Sequence, residues 1–202
     1  MAKKQREAAL ATNGNTRARA RDKRQRLVET AAKLSYEQGF KNTSLADIAR
    51  ESGVPLGNVY FYFKTKDAIG EALVARLAEQ FATMRREWDA LPDPKRRIAA
   101  FIQMTADNRE ALARSGCPVG TLCTELQKDG GPLADRAASI FAQSIDWLAE
   151  QFRELGKRSE SRDLAVHVLS VLEGASLLTH AFHDTSYATR EADRLKRWVR
   201  AL

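Results

Sequence analysis

The chain has 202 residues, 44% of them apolar and 29% charged, with a formal net charge of +7. This is enough apolar material for a sizeable core in one domain or two small ones, and no apolar run approaches the roughly 18 residues of a membrane-spanning helix. Two cysteines, and a basic N-terminus with no apolar segment behind it, exclude a disulfide scaffold and a secretory signal, so a cytoplasmic protein with no membrane partner is expected.

The charge is concentrated at one end. Residues 1–26 hold nine Lys or Arg against Glu7 and Asp22, which is the whole of the +7 excess; the remainder is neutral. Residues 1–22 include Asn13, Gly14 and Asn15 and show little apolar periodicity, so a basic, mostly disordered arm is expected there. A first helix is predicted from about Asp22 to Gln38, with Leu27, Ala31 and Leu34 along one face. Gly39 ends it and Phe40 returns into the core.

Residues 43–66, TSLADIARESGVPLGNVYFYFKTK, are the most informative stretch. Ser44 and Asp47 have the spacing of a capping box. Leu45, Ile48 and Ala49 recur at helical spacing, and Gly53 stands where a short helix must turn. Pro55 suits the first turn of the helix that follows. In that second helix Val59 and Phe63, four apart, are the expected inward pair. Leu56, Asn58, Tyr60 and Tyr62 are then left for a partner, and Gly57 permits close approach. Two short helices about a glycine turn are the layout of a helix-turn-helix, whose second helix enters the DNA major groove. The basic arm directly before it is suited to phosphate contacts.

Taken in order, the helix carrying AAKLSYEQGF, the Thr43-Ser44 cap, DIARESGV, GNVY at 57–60, FYF and KTK resemble the DNA-binding domain of the TetR (tetracycline repressor-like) family. The resemblance runs from about Arg24 to Val74. It implies a transcriptional regulator rather than an enzyme, most often a repressor. Such a regulator has no cofactor, binds a palindromic double-stranded operator as a homodimer, and answers to a small-molecule effector. The family's usual contacts fall on Thr43, Asn58, Tyr60, Tyr62 and Lys66; Ser44, Leu56, Gly57 and Lys64 complete the candidate DNA-binding set. Leu56 departs from the basic or polar residue frequent there and offers apolar contact, for instance to a thymine methyl. The expected organisation is an arm at 1–22, a DNA-binding domain at 23–83 (helix-turn-helix about 45–64) and a ligand-binding and dimerisation domain at 84–202.

Beyond the motif, Thr65 is the expected N-cap of a long helix reaching about Ala90, which LPDP at 91–94 breaks. Further helices are predicted to about Arg114, at about Val119–Lys128, at Leu133 to about Leu155, from Ser159 or Ser161 to about His183, and at about Ala188–Ala201. This is an all-α chain of about nine helices. Phe81, Met84, Trp88, Phe101, Met104, Cys123, Phe141, Ile145 and His180 are candidate lining for an effector pocket, although core packing explains most of them equally well. The penultimate helix is apolar nearly all round, as expected of one buried on every side. By resemblance, it and the last helix supply a subunit interface, with Leu164, Val168, Val171, Leu172, Ala175, Leu178, Leu195 and Trp198 as its candidates. Cys117 precedes Pro118 at a helix N-terminus, where a thiolate is stabilised. One alternative is therefore a thiol-based sensor of electrophiles or oxidants, and the other is a small packing residue. A helical ligand-binding protein or enzyme with an idle DNA head is a further alternative. His180 and His183 lack a third ligand at suitable spacing, so no metal is expected.

Overall fold

The computed structural model describes residues 2–202, with side chains from residue 20 onward. The described residues form ten helical segments: α1 Ala2–Gln38, α2 Leu45–Ser52, α3 Leu56–Tyr62, α4 Lys66–Asp89, α5 Pro94–Asp107, α6 Arg109–Ser115, α7 Pro118–Gln127, α8 Pro132–Glu154, α9 Ser161–Phe182 and α10 Ser186–Ala201. Segments α5 and α6 are the single helix expected up to Arg114, interrupted at Asn108. There the Asn108 side chain and backbone amide both donate to the Met104 carbonyl, at 2.8 and 3.1 Å. Counted as one, they leave the nine helices of the sequence reading. The first helix continues back from Asp22 through the stretch expected to be a disordered arm, which is rich in the good helix formers Ala, Arg, Lys and Gln. Side chains of residues 1–19 lie outside those described, and so does the arm's part in binding.

The chain divides into two compact units, 1–73 and 74–202. The division falls inside α4, earlier in the chain than the expected 83/84 boundary. Ile69 belongs to the first unit's core, whereas Phe81 and Trp88 belong to the second's.

In the first unit Leu27, Val28 and Ala31 of α1, Ile48 and Ala49 of α2, Val54, Val59 and Phe63 close over one another. The local signals are met in the backbone. Ser44 Oγ accepts from the Asp47 amide at 3.1 Å, and the Ser44 amide donates to Asp47 Oδ2 at 3.0 Å, which completes the capping box. Gly53 has φ +65, in the left-handed region, and closes α2. Pro55 stands at the N-cap of α3, one position before the first helical residue; its carbonyl accepts from Asn58 and Val59. Thr65 Oγ1 accepts from the Ala68 amide at 3.1 Å and caps α4.

The second unit is built on α9, which packs against α5, α6, α8 and α10. Phe81, Trp88, Phe101 and Trp147 form an aromatic cluster at its centre, and the indole N–H of Trp147 donates to Asp89 Oδ1 at 2.8 Å. Thr179 is fully buried, and its hydroxyl oxygen accepts from the Ala188 amide at 3.0 Å. It supplies to the first turn of α10 a cap that α10's own N-cap does not provide. Helix α9 is long and apolar enough to cross a membrane by length and composition, with a mean hydropathy of 1.4. It lacks an unbroken apolar run, since Ser170, Glu173, Ser176 and Thr179 punctuate it. A core helix passes the same test, and Val168, Leu172, Ala175 and Thr179 are buried in this domain's own core.

Two consequences can be measured. Ser44→Ala is expected to lower stability by about 1 kcal/mol, as N-cap truncations commonly do, read as a shift in the urea midpoint. The hydrogen bonds from Ser44, then that from Arg50, hold the Asp47 carboxyl at about 2, below its ordinary 3.8. A depressed folded-state value means the stabilisation is complete above about pH 4 and disappears as pH falls through about 2. Wild type is therefore expected to lose stability more steeply than Ser44→Ala between pH 5 and pH 2.

Candidate functional site

Helix α3 is only seven residues long, so its two faces are easily separated. Val59 and Phe63 are buried, four positions apart, and anchor it to the first unit's core. At 100° per residue, the direction opposite Val59 falls between Gly57 and Phe61, with Tyr60 and Asn58 on either flank. Exposure follows this geometry. Phe61 is 73% exposed, Tyr60 48% and Leu56 40%, while Gly57, Asn58 and Lys64 are also exposed. A Cβ built on Gly57 would meet nothing within 4 Å, so the space there is open to a partner. Tyr62 is half-buried against the core, with its ring edge-on to Phe61 at 5.2 Å between centroids.

Two of the expected contacts have their side chains engaged within the chain. Thr43 is only 2% exposed, and its hydroxyl donates to the Gly39 carbonyl at 2.8 Å. It closes the turn after α1 and presents nothing outward. The ammonium of Lys66 donates to the Lys41 carbonyl at 2.6 Å and lies 5.0 Å from the centre of the Phe40 ring. Lys66 thus ties the start of α4 to the α1–α2 connection. Ser44 is exposed, but its hydroxyl is engaged with Asp47. Phe61, absent from the expected set, sits at the crown of the helix. Helical periodicity also places it opposite Val59.

In the second unit, three of the candidate pocket residues are core. Phe81, Trp88 and Phe101 are buried and meet edge to face at 5.5–6.4 Å between ring centroids, contacts aromatic rings favour by about 0.5–1.5 kcal/mol each. Met84, Met104 and Ile145 pack against this cluster, partly buried. Cys123 is buried and Phe141 half-buried. His180 lies apart from the aromatic cluster. Its Nδ1, and that of His183, both meet the Ala113 carbonyl, at 3.2 and 3.0 Å. No metal-binding group of three or more candidate ligands occurs among the described residues.

The interface candidates divide in the same way. Val168, Leu172, Ala175 and Leu195 are buried within their own chain, the first three on the side of α9 that also carries Thr179. Trp198 packs on Phe152 and His167 of its own chain. Leu164 and Val171 are partly buried, and Leu178 is exposed. Helix α9 also carries exposed apolar side chains: Val166 and Leu177 lie opposite that stripe, Leu178 lies beside it, and Phe182 is in line with it at the helix end, with Leu177 at 66% and Phe182 at 63%. Gly174 lies among them with open space beside it.

Cys117 is the N-cap of α7, and its sulfur accepts from the Gly120 amide at 3.4 Å. The thiol also hydrogen-bonds the Glu173 carboxylate reaching over from α9. Gly120 makes this approach possible, since a Cβ there would stand 2.6 Å from Glu173 Oε2. Burial, then the negative charge of Glu173, push the thiol up to about 12, and Glu173 itself is raised by burial. Desolvation and the neighbouring carboxylate thus act against the thiolate that the helix N-terminus favours.

Residues 27–73 match bacterial regulatory proteins of the tetR family, and residues 94–191 match the C-terminal domain of LmrA/YxaF-like transcriptional regulators. Similar proteins include the uncharacterized HTH-type transcriptional regulator YxaF of Bacillus subtilis, 28% identical over 89% of this chain and 96% of that protein. An uncharacterized HTH-type regulator of Mycobacterium tuberculosis is 30% identical over 80% of this chain and 86% of its own length. The Escherichia coli transcriptional repressor NemR is 34% identical over 68% of this chain and 70% of its own. Among solved structures, a TetR transcriptional regulator from Chloroflexus aurantiacus superposes with a TM-score of 0.80 at 20% identity, covering 90% of this chain and 96% of that one.

The state of Cys117 is directly testable. In the folded protein at pH 7.5 it is expected to react with a maleimide at least about tenfold more slowly than the same residue in urea, by mass spectrometry, since the thiolate is the nucleophile. Glu173→Gln is expected to speed the reaction.

Proposed function

Because this chain belongs to the tetR family of bacterial regulatory proteins, and is a DNA-binding transcriptional regulator, we propose that it works as a homodimeric repressor whose hold on a palindromic operator is released by a small-molecule effector. The observation that carries the DNA-binding part is the outward face of α3. A two-turn helix anchored by Val59 and Phe63 presents Leu56, Gly57, Asn58, Tyr60 and Phe61 together. In this reading Asn58 bonds a base edge or a phosphate, and Tyr60 and the exposed Lys64 bond phosphates. Thr43 and Lys66 hold the scaffold from behind.

The homodimer is supported by the exposed apolar side chains of α9, with Leu177, Leu178 and Phe182 close together in its last turns. Exposed apolar groups of this kind mark an interaction surface, and Gly174, one turn before Leu177 and Leu178, allows another helix to come close. A two-fold dimer gives two reading heads and hence a palindromic site. Helix α4 runs unbroken from Lys66, beside the reading head in sequence, to Met84 and Trp88 in the second unit's core. An effector that repacks the adaptable Met84 and Met104 would bias α4, and a ligand with different affinity for the two arrangements shifts the population between them.

Mobility-shift titration with an operator found by in vitro selection tests the first part. Tyr60→Phe and Lys64→Ala are each expected to weaken binding several-fold and to lessen its salt dependence, or leave it unchanged for the uncharged change. Absence of any sequence-selective binding by the wild type would overturn the reading. For the second part, Leu177→Asp with Phe182→Asp is expected to give a folded monomer by sedimentation equilibrium and to abolish binding to the full palindrome.

A further inference from the structure

The side chains that α3 turns outward have an unusual chemistry for a DNA-reading surface. Leu56, Tyr60 and Phe61 are large, and Asn58 is the one amide; the helix holds no Arg, Lys, Glu or Gln between Leu56 and Tyr62. Guanine is most often read in the major groove by the fork of Arg or by Lys, and adenine by the amide of Asn or Gln. The helix thus has no donor for the guanine fork and one for adenine. What it has in quantity is apolar surface, centred on Phe61, which is the most exposed large apolar side chain of the described residues at 73%. That ring is oriented by its edge contact with Tyr62, whose own ring rests on the first unit's core. It is therefore presented by the fold rather than left free to collapse onto the surface. Gly57, one turn earlier, leaves the neighbouring space empty. In the major groove the complementary apolar feature is the C5-methyl group of thymine, which no other base carries.

We propose that this regulator recognises its operator chiefly through thymine C5-methyl groups, with Phe61 as the main specificity-determining residue and Leu56 as the second. The proposal rests on the reading that α3 is the DNA-binding helix. Asn58 then contributes an adenine contact, and A·T pairs should dominate the positions under α3. Affinity comes from phosphates and selectivity from methyl groups, so the two respond to different changes. Removing a methyl alters selectivity while leaving the salt dependence intact, because no counterion is released or retained.

The test uses the full-length protein and an operator obtained by in vitro selection, with each thymidine in turn replaced by deoxyuridine, which keeps the base pair and removes only the methyl. Fluorescence anisotropy is expected to show one or two positions per half-site where wild type loses about fourfold in affinity, the worth of one buried methyl group. Phe61→Ala is expected to be insensitive at those positions, and Phe61→Leu to keep part of the effect. Phe61 projects into solvent, so neither variant should disturb folding, which circular dichroism checks. Selective binding with no position sensitive to deoxyuridine, or equal sensitivity in wild type and Phe61→Ala, would overturn the proposal while leaving DNA binding through α3 intact. Absence of selective binding by the wild type would overturn both.

Discussion

Everything the first unit presents depends on holding a seven-residue helix that could not persist alone. Two turns lie far below the length at which an isolated helix is stable in water. Helix α3 exists because Val59 and Phe63 are buried in the unit's core and because both its ends are constrained. Gly53 turns the chain in front of it, and the Phe63 amide closes it by donating a hydrogen bond to the Val59 carbonyl at 2.8 Å. The guanidinium of Arg24 lies 5.1 Å from the Phe63 ring centre, and Lys66 lies over Phe40. Arg24 and Lys66 thus lie against aromatic rings of the scaffold around it. Only one narrow face is spent on anchoring, which frees the rest for DNA.

The second unit uses α9 in an equivalent two-sided way on a larger scale. Its inner side, with Val168, Leu172, Ala175 and Thr179, is the core of the domain, and Thr179 also caps α10. Elsewhere it exposes Val166, Leu177, Leu178 and Phe182. One helix therefore supports the fold of a single chain and, in the proposed reading, the association of two. The polar cluster around Cys117 works as packing. Glu173 reaches from α9 to the start of α7 past a glycine and joins the two helices at the Cys117 thiol.

Much of this was legible in the sequence, where the signal was local. The capping box at Ser44, the left-handed Gly53, the caps at Thr65 and the inward pair of α3 follow from spacing and from side-chain chemistry within a few residues. What was not legible depended on partners distant in sequence. Thr43 and Lys66 have side chains well suited to phosphate, but the turn after α1 takes both of them. The N-terminus of α7 argues for a thiolate at Cys117 until Glu173, on another helix, is placed beside it. Helix α9 is apolar on all sides, so periodicity did not tell its inner face from its outer one, and half of the expected interface proved to be core. Phe61 is placed by local signals, since helical periodicity sets it opposite Val59.

The central claim is that the outward face of α3 meets DNA while the outer side of α9 meets a second copy of the chain. Site-specific photo-crosslinking measures this most directly, with a benzophenone amino acid in place of Phe61 in one preparation and of Leu177 in another, each irradiated on a duplex the protein retains. The account expects the crosslinker at 61 to join the chain to DNA and that at 177 to join two chains. A protein that still binds the duplex but forms no DNA adduct from position 61 would contradict it.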